Sequence, residues 1–168
     1  MTGSSVGLDV PPAARRQRAM RVLRRAMLCT AAAGLAAIAP AVHAANCSIA
    51  TTSAAFGTYD VFAASPNDSG TGTVTVDCKG SSGEVTLSTG QSGVYASRKM
   101  TSGANALSYN LYTSAARSTI WGDGTGGSSS ITAGKNATTT LTVYGRIPAG
   151  QDAAAGTYAD SVTATVTF

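Results

Sequence analysis

The sequence predicts an all-β domain, a two-sheet sandwich of immunoglobulin-like type. Three observations point to it. Apolar residues alternate with polar ones along several stretches rich in Val, Thr and Tyr, the pattern of half-buried strands. Between these stretches lie "SPNDSGTG", "KGSSG", "GDGTGGSSS" and "IPAGQDAAAG", whose Gly, Ser, Asn and Pro supply the dihedrals and hydrogen bonds that reverse a chain. No amphipathic helix longer than about two turns can be traced. Several short strands with such breaks describe a sandwich.

Each strand follows from its own alternation. "TVTVDC" sets Val74, Val76 and Cys78 on one face, with Thr73, Thr75 and Asp77 on the other. "EVTLST" pairs Val85 with Leu87, and "LSYNLY" aligns Leu107, Tyr109 and Leu111. "TTLTVYGRI" aligns Leu141, Val143, Gly145 and Ile147, and its glycine predicts a bulge. "YADSVTATVTF" aligns Tyr158, Val162, Ala164, Val166 and Phe168 opposite Ser161, Thr163, Thr165 and Thr167. This strand runs apolar to Phe168, and such an edge must be covered by something.

The first 44 residues read differently. Arg15, Arg16, Arg18, Arg21, Arg24 and Arg25 precede a 14-residue apolar run over 26–39. A bilayer span takes about 20 residues, so the run is too short to cross one. Basic residues, a short apolar run and "VHA" before Ala45 predict a secretory signal peptide cut after Ala44. Met20 is a second candidate start, giving a 25-residue signal. A twin-arginine signal at Arg24-Arg25 and a lipid anchor on Cys47 are weaker readings, the latter because Asn46 precedes the cysteine poorly. The expected organisation is 1–44 upstream residues and signal, then one domain over 45–168.

The whole chain carries a formal charge of +4, but the arginines sit in the part expected to be removed. In 45–168, six bases face seven acids, a net charge of −1. That balance offers no electrostatic footprint for nucleic acid. Cys29 leaves with the signal, and Cys47 and Cys78 remain. Export places them in an oxidising compartment, where two cysteines allow one internal bridge; two free thiols are the alternative. The shared face with Val74 and Val76 puts that bridge at the core, tying the first strand to a later one.

Catalytic signals are thin. The sole histidine, His43, lies in the signal, so the mature chain has no imidazole for base or metal chemistry. A bridged cysteine is no nucleophile. The seven acids show no paired-carboxylate signature. Asp123 in "WGDGTGG" is one acid, too few for a calcium ion that takes six to eight oxygens. Neither a cofactor nor a metal is expected, and the chain reads as non-enzymatic. Trp121 and Tyr112 are candidate ligand contacts, as aromatics able to stack on sugars.

"CSIATTSAAFGTYD", "GTVTVDC", "LSYNLYT", "WGDGTGG", "LTVYGRIPAGQ" and "GTYADSVTATVTF" occur in that order. Together they resemble the spore coat protein U domain family, which includes subunits of archaic chaperone–usher pili of Gram-negative bacteria. The resemblance covers about 47–168. It implies a sandwich lacking its last strand, whose groove is filled first by a periplasmic chaperone and then by the donor strand of a neighbouring pilin. The implied partners are that chaperone, an outer-membrane usher and neighbouring subunits, with passage through the periplasm to the cell surface. Tyr158, Val162, Ala164, Val166 and Phe168 are the expected acceptor wall. Shaft subunits carry an alternating donor segment before the first cysteine, whereas a cut after Ala44 leaves only Ala45 and Asn46. Two residues span at most about 7 Å. The expectation is therefore a distal tip or capping subunit serving adhesion and biofilm formation. A free secreted coat or matrix protein with a self-complete sandwich is the alternative, and a lectin-like adhesive module is a third reading.

Overall fold

The computed structural model describes residues 44–168. The expected signal as far as His43, with its arginines, Cys29 and the second start at Met20, lies outside the described residues. Ten strands follow in order: β1 (Asn46–Ala55), β2 (Thr71–Lys79), β3 (Gly83–Leu87), β4 (Arg98–Ser102), β5 (Asn105–Tyr112), β6 (Ile120–Trp121), β7 (Ser128–Ser129), β8 (Ile131–Ala133), β9 (Ala137–Arg146) and β10 (Ala164–Thr167). Two single-turn 3₁₀ segments, Gly90–Ser92 and Tyr95–Ser97, join β3 to β4. Among the described residues no helix is long and apolar enough to cross a membrane.

The strands form two sheets. The larger runs β1-β2-β9-β5-β6-β7 with β4 also on β5, and the smaller runs β10-β3-β8. Pairing is antiparallel except between β6 and β7. β2 shows how sequence sets the layers. Its alternating Val74, Val76 and Cys78 are buried, while Thr73, Thr75 and Asp77 are half-buried. The outward threonines pair across strands, Thr73 with Thr52 and Thr142, and Thr75 with Thr140. The inward row meets Val85, Leu87, Met100, Leu107, Tyr109, Leu111, Trp121 and Val143 in one core.

Cys47 and Cys78 are bridged, and they are register partners on neighbouring strands β1 and β2. Gly83 lies against the bridge. A Cβ there would fall 3.1 Å from the Cys78 sulfur, 3.2 Å from the Cys47 sulfur and 2.5 Å from Val166 Cγ2. Only a glycine lets β3, β10 and the disulfide close this end of the sandwich.

Three sequence expectations are corrected. Trp121 does not present a stacking face: its exposure is 0% and its indole Nε1 donates to the Val85 carbonyl at 3.1 Å. A large apolar ring with a polar handle is most stable where both needs are met, and here that is the core. Gly145 adds no extra residue to β9: Leu111↔Gly145 continues the ladder with β5, and on the other edge the extra residue belongs to the facing chain, where 68–70 lie opposite 145–146 between Thr71↔Tyr144 and Asn67↔Ile147. A further register shift falls in β1 between Thr52 and Ala55. Gly145 is small because Phe56 lies over it: a Cβ would sit 2.5 Å from Phe56 Cζ, and one on Gly70 would also strike that ring. Gly145→Ala should therefore cost about 1–3 kcal/mol through overpacking. Urea midpoints would check this, with Phe56→Leu in the Gly145→Ala background recovering part of the loss. Finally, the last strand is short. The alternation over 158–166 persists, but regular pairing covers only β10; before it the chain is held by a Thr101↔Ala159 bridge and by the Ser88 N–H donating to the Thr163 carbonyl at 2.9 Å.

The "YGRIPAGQ" stretch anchors the chain where it leaves β9. Arg146 binds Asp68 through two hydrogen bonds, 2.6 and 2.8 Å, which hold the Asp68 carboxyl below its usual pKa. Ile147 is buried and bridges Asn67. The Gln151 amide accepts from the Ser108 N–H at 2.7 Å and donates to the Ser108 carbonyl at 2.9 Å, standing in for a strand on that edge of β5.

Candidate functional site

The sandwich is closed at the disulfide and open along one side. β1 is the edge of the large sheet and β10 the edge of the small one, and neither has a strand on its outer edge among the described residues. Between them runs a groove of about 1290 Å³. One wall is 51–62 and the other is 153–160 with Val162 and Ala164; the floor is the core itself, including Val74, Leu87, Met100, Leu107, Leu111 and Val143. An apolar floor open to solvent between two unpaired edges is an unfinished core.

Burial along the walls carries the same message. No residue after Ile147 is fully buried; from Tyr158 to Val166 the alternation is only between half-buried and exposed. In β1, only Cys47 and Ala54 are even half-buried. Ile49 is 36% exposed although its partner across the ladder, Val76, is 0% exposed. These inward rows have the residue pattern of covered strands and lack the cover. Phe62, in the groove-lining loop after β1, is 92% exposed.

Of the residues expected to form the acceptor wall, Tyr158, Val162 and Ala164 line the groove. Val166 packs instead at the closed end against Gly83 and the bridge, and Phe168 is 56% exposed outside the groove lining. The same alternating row thus passes from the groove wall to a contact with Gly83 beside the disulfide. Tyr112 is half-buried on the outer face of β5, paired with Tyr144 and Ile120 and away from the groove. Trp121 and Tyr112 are not brought together as a ligand site.

Sequence reasoning missed one residue of the site, Asp160, and one buried residue outside the groove lining, Arg98. Asp160 shares the inward parity of Tyr158 and Val162, and that parity was the signal for it. Its Oδ2 accepts from the Tyr109 hydroxyl at 2.7 Å, and its Oδ1 accepts from the Gln91 N–H at 2.9 Å and the Ser161 N–H at 2.8 Å. Burial, aided by this carboxylate, pushes the Tyr109 phenol well above its usual pKa. Arg98, one of the six bases of 45–168, has 0% exposure. It donates to the Ser88 carbonyl at 2.8 and 3.1 Å, to Trp121 O at 2.7 Å and to Asn110 Oδ1 at 2.8 Å, and it lies 5.3 Å from the Tyr95 ring centre. Burial lowers its pKa, partly offset by Tyr109, Tyr95 and Asp160. Nothing in the sequence marks this arginine. Among the described residues no group of three His, Cys, Asp or Glu is placed to hold a metal.

Fold and site together define a class: an all-β, immunoglobulin-like sandwich with an open apolar groove between its edge strands. Residues 32–165 match the Spore Coat Protein U domain family, and the chain belongs to it. It is 35% identical over 126 residues to Protein U of Myxococcus xanthus, covering 67% of this chain and 70% of that one. Its fold is similar to that of a chain in the crystal structure of the CsuC–CsuE chaperone–tip adhesion subunit pre-assembly complex, from archaic chaperone–usher Csu pili of Acinetobacter baumannii. That match has a TM-score of 0.54 at 22% identity and covers 74% of this chain. This chain spans 40% of the length of the solved one.

Proposed function

We propose that this protein is a structural, non-enzymatic subunit of a chaperone–usher pilus, and that its groove receives a strand from a partner. The observation that carries the reading is the groove: a core floor exposed between two unpaired edges, one of them the alternating row at Tyr158, Val162 and Ala164. Addition of an extended segment to such an edge supplies main-chain hydrogen bonds, while alternate side chains fill the pockets and set the register. A periplasmic chaperone is the first occupant and a neighbouring subunit the second, with an outer-membrane usher as the assembly site. Export by the signal, passage through the periplasm and a surface location follow from this reading. The terminal position, as a tip or cap serving adhesion and biofilm formation, rests on the cut expected after Ala44, which leaves two residues ahead of Cys47.

The full-length gene, expressed with and without a co-expressed pilus chaperone, tests the reading. The expected result is degradation or aggregation alone and a one-to-one complex with the chaperone. Val162→Asp, which puts a charge on the groove wall, should abolish co-purification; unchanged capture would count against the groove. The mass of the exported chain checks the cut site. A second reading, a free coat or matrix protein, is favoured by the likeness to Protein U. It requires the exported chain to be a stable monomer that unfolds cooperatively by itself.

A further inference from the structure

The row that walls the groove is not uniformly apolar. Tyr158, Val162 and Ala164 are interrupted by Asp160, whose side chain also lines the groove. A carboxylate offers about four acceptor positions. Three are taken, by the Tyr109 hydroxyl, the Gln91 N–H and the Ser161 N–H. With the groove open, the half-buried carboxylate can meet solvent at the remaining position. A strand laid into the groove would exclude that solvent. Enclosing an ionised carboxylate without full hydrogen bonding is costly.

We infer that Asp160 reads the strand that enters the groove: facing it, the occupant must carry a side chain that donates hydrogen bonds, Lys above all, within an otherwise apolar alternating row. This rests on the strand-accepting reading proposed above. An uninterrupted apolar strand fits the floor but leaves the carboxylate under-bonded and dry, so it is discriminated against. A strand shifted by two residues meets Asp160 with the wrong side chain, so the same group also fixes register. The partner is thereby described by its chemistry: an extended segment, apolar at alternate positions, with one internal cation or N–H donor.

The exported full-length chain, refolded in the presence of fluorescently labelled peptides, tests this. A reference peptide of about ten residues alternates Val with Thr. A companion set replaces one inward Val at a time by Lys, and binding is read by anisotropy. The expected result is that a single member of the set binds about tenfold tighter than the reference. Asp160→Asn, which removes the charge and one of the two acceptor oxygens, should erase that advantage, read as the ratio of Lys-peptide to reference affinity on the same variant. If the reference and every Lys peptide bind the native chain equally, or Asp160→Asn leaves the preference intact, the role of Asp160 is overturned while the groove reading stands. If no peptide binds, the groove reading itself falls, and this inference with it.

Discussion

Arg98→Met is expected to destabilise the folded chain by about 3–5 kcal/mol, since each charge-assisted bond lost and each buried acceptor left bare costs about 1–3 kcal/mol. The thermal midpoint should fall by roughly 10–20 °C. The guanidinium ties the segment after β3, through Ser88, to two strands of the other sheet, β5 through Asn110 and β6 through Trp121. Among the described residues Arg98 supplies the hydrogen bonds to the Ser88 carbonyl outside the strand ladders, so methionine fills the volume but strands that oxygen. Arg98→Lys is the informative control. It keeps the charge but cannot present a planar fork to three acceptors at once, and should recover only part of the loss. Calorimetry or urea titration reads both variants. A methionine variant within about 1 kcal/mol of the native chain would show that apolar packing compensates for the network, as happens at some buried polar sites.

Cys78→Ser is the second large effect. The bridge closes a loop of 31 residues between β1 and β2, and constraining such a loop contributes about 3–4 kcal/mol on the chain-entropy account. Serine adds a buried hydroxyl at a position of 0% exposure. The loss falls on β1, the edge strand that walls the groove and has almost no buried side chain of its own. We expect a sharp fall in periplasmic yield and early proteolysis near the register shift between Thr52 and Ala55. A Cys47→Ala/Cys78→Ala pair separates the lost bridge from the buried hydroxyl. Native yield and native urea midpoint for both variants would mean that the ladder alone holds β1.

How much of the site was legible depended on whether its cause was local. Alternation in β2, β3, β5 and β9 is a local consequence of one buried face, and each strand is where its pattern places it. The inward parity of Tyr158, Val162 and Ala164 is local too, and it carried those residues to the groove wall. Val166 has the same parity and a different fate, because it meets Gly83 beside the disulfide, a neighbour from another strand that its own pattern does not reveal. Trp121 shows the limit most plainly. An aromatic in a glycine-rich stretch looks like a surface contact until β3 is placed over it and its carbonyl at Val85 receives the indole.

By itself the sequence determined the all-β class, the strands of the core, the single disulfide pair and the family. All of these are written in residue periodicity, cysteine count or ordered motifs, which need no knowledge of distant neighbours. The resemblance implied a missing strand; the tertiary structure alone decided that the open edges are β1 and β10, that Gly145 makes room for Phe56, that Arg98 is an internal tie, and that a carboxylate interrupts the groove wall. Each of these depends on which side chains from remote parts of the chain meet. Solvent access at a strand edge is a property of what does or does not pack beside it.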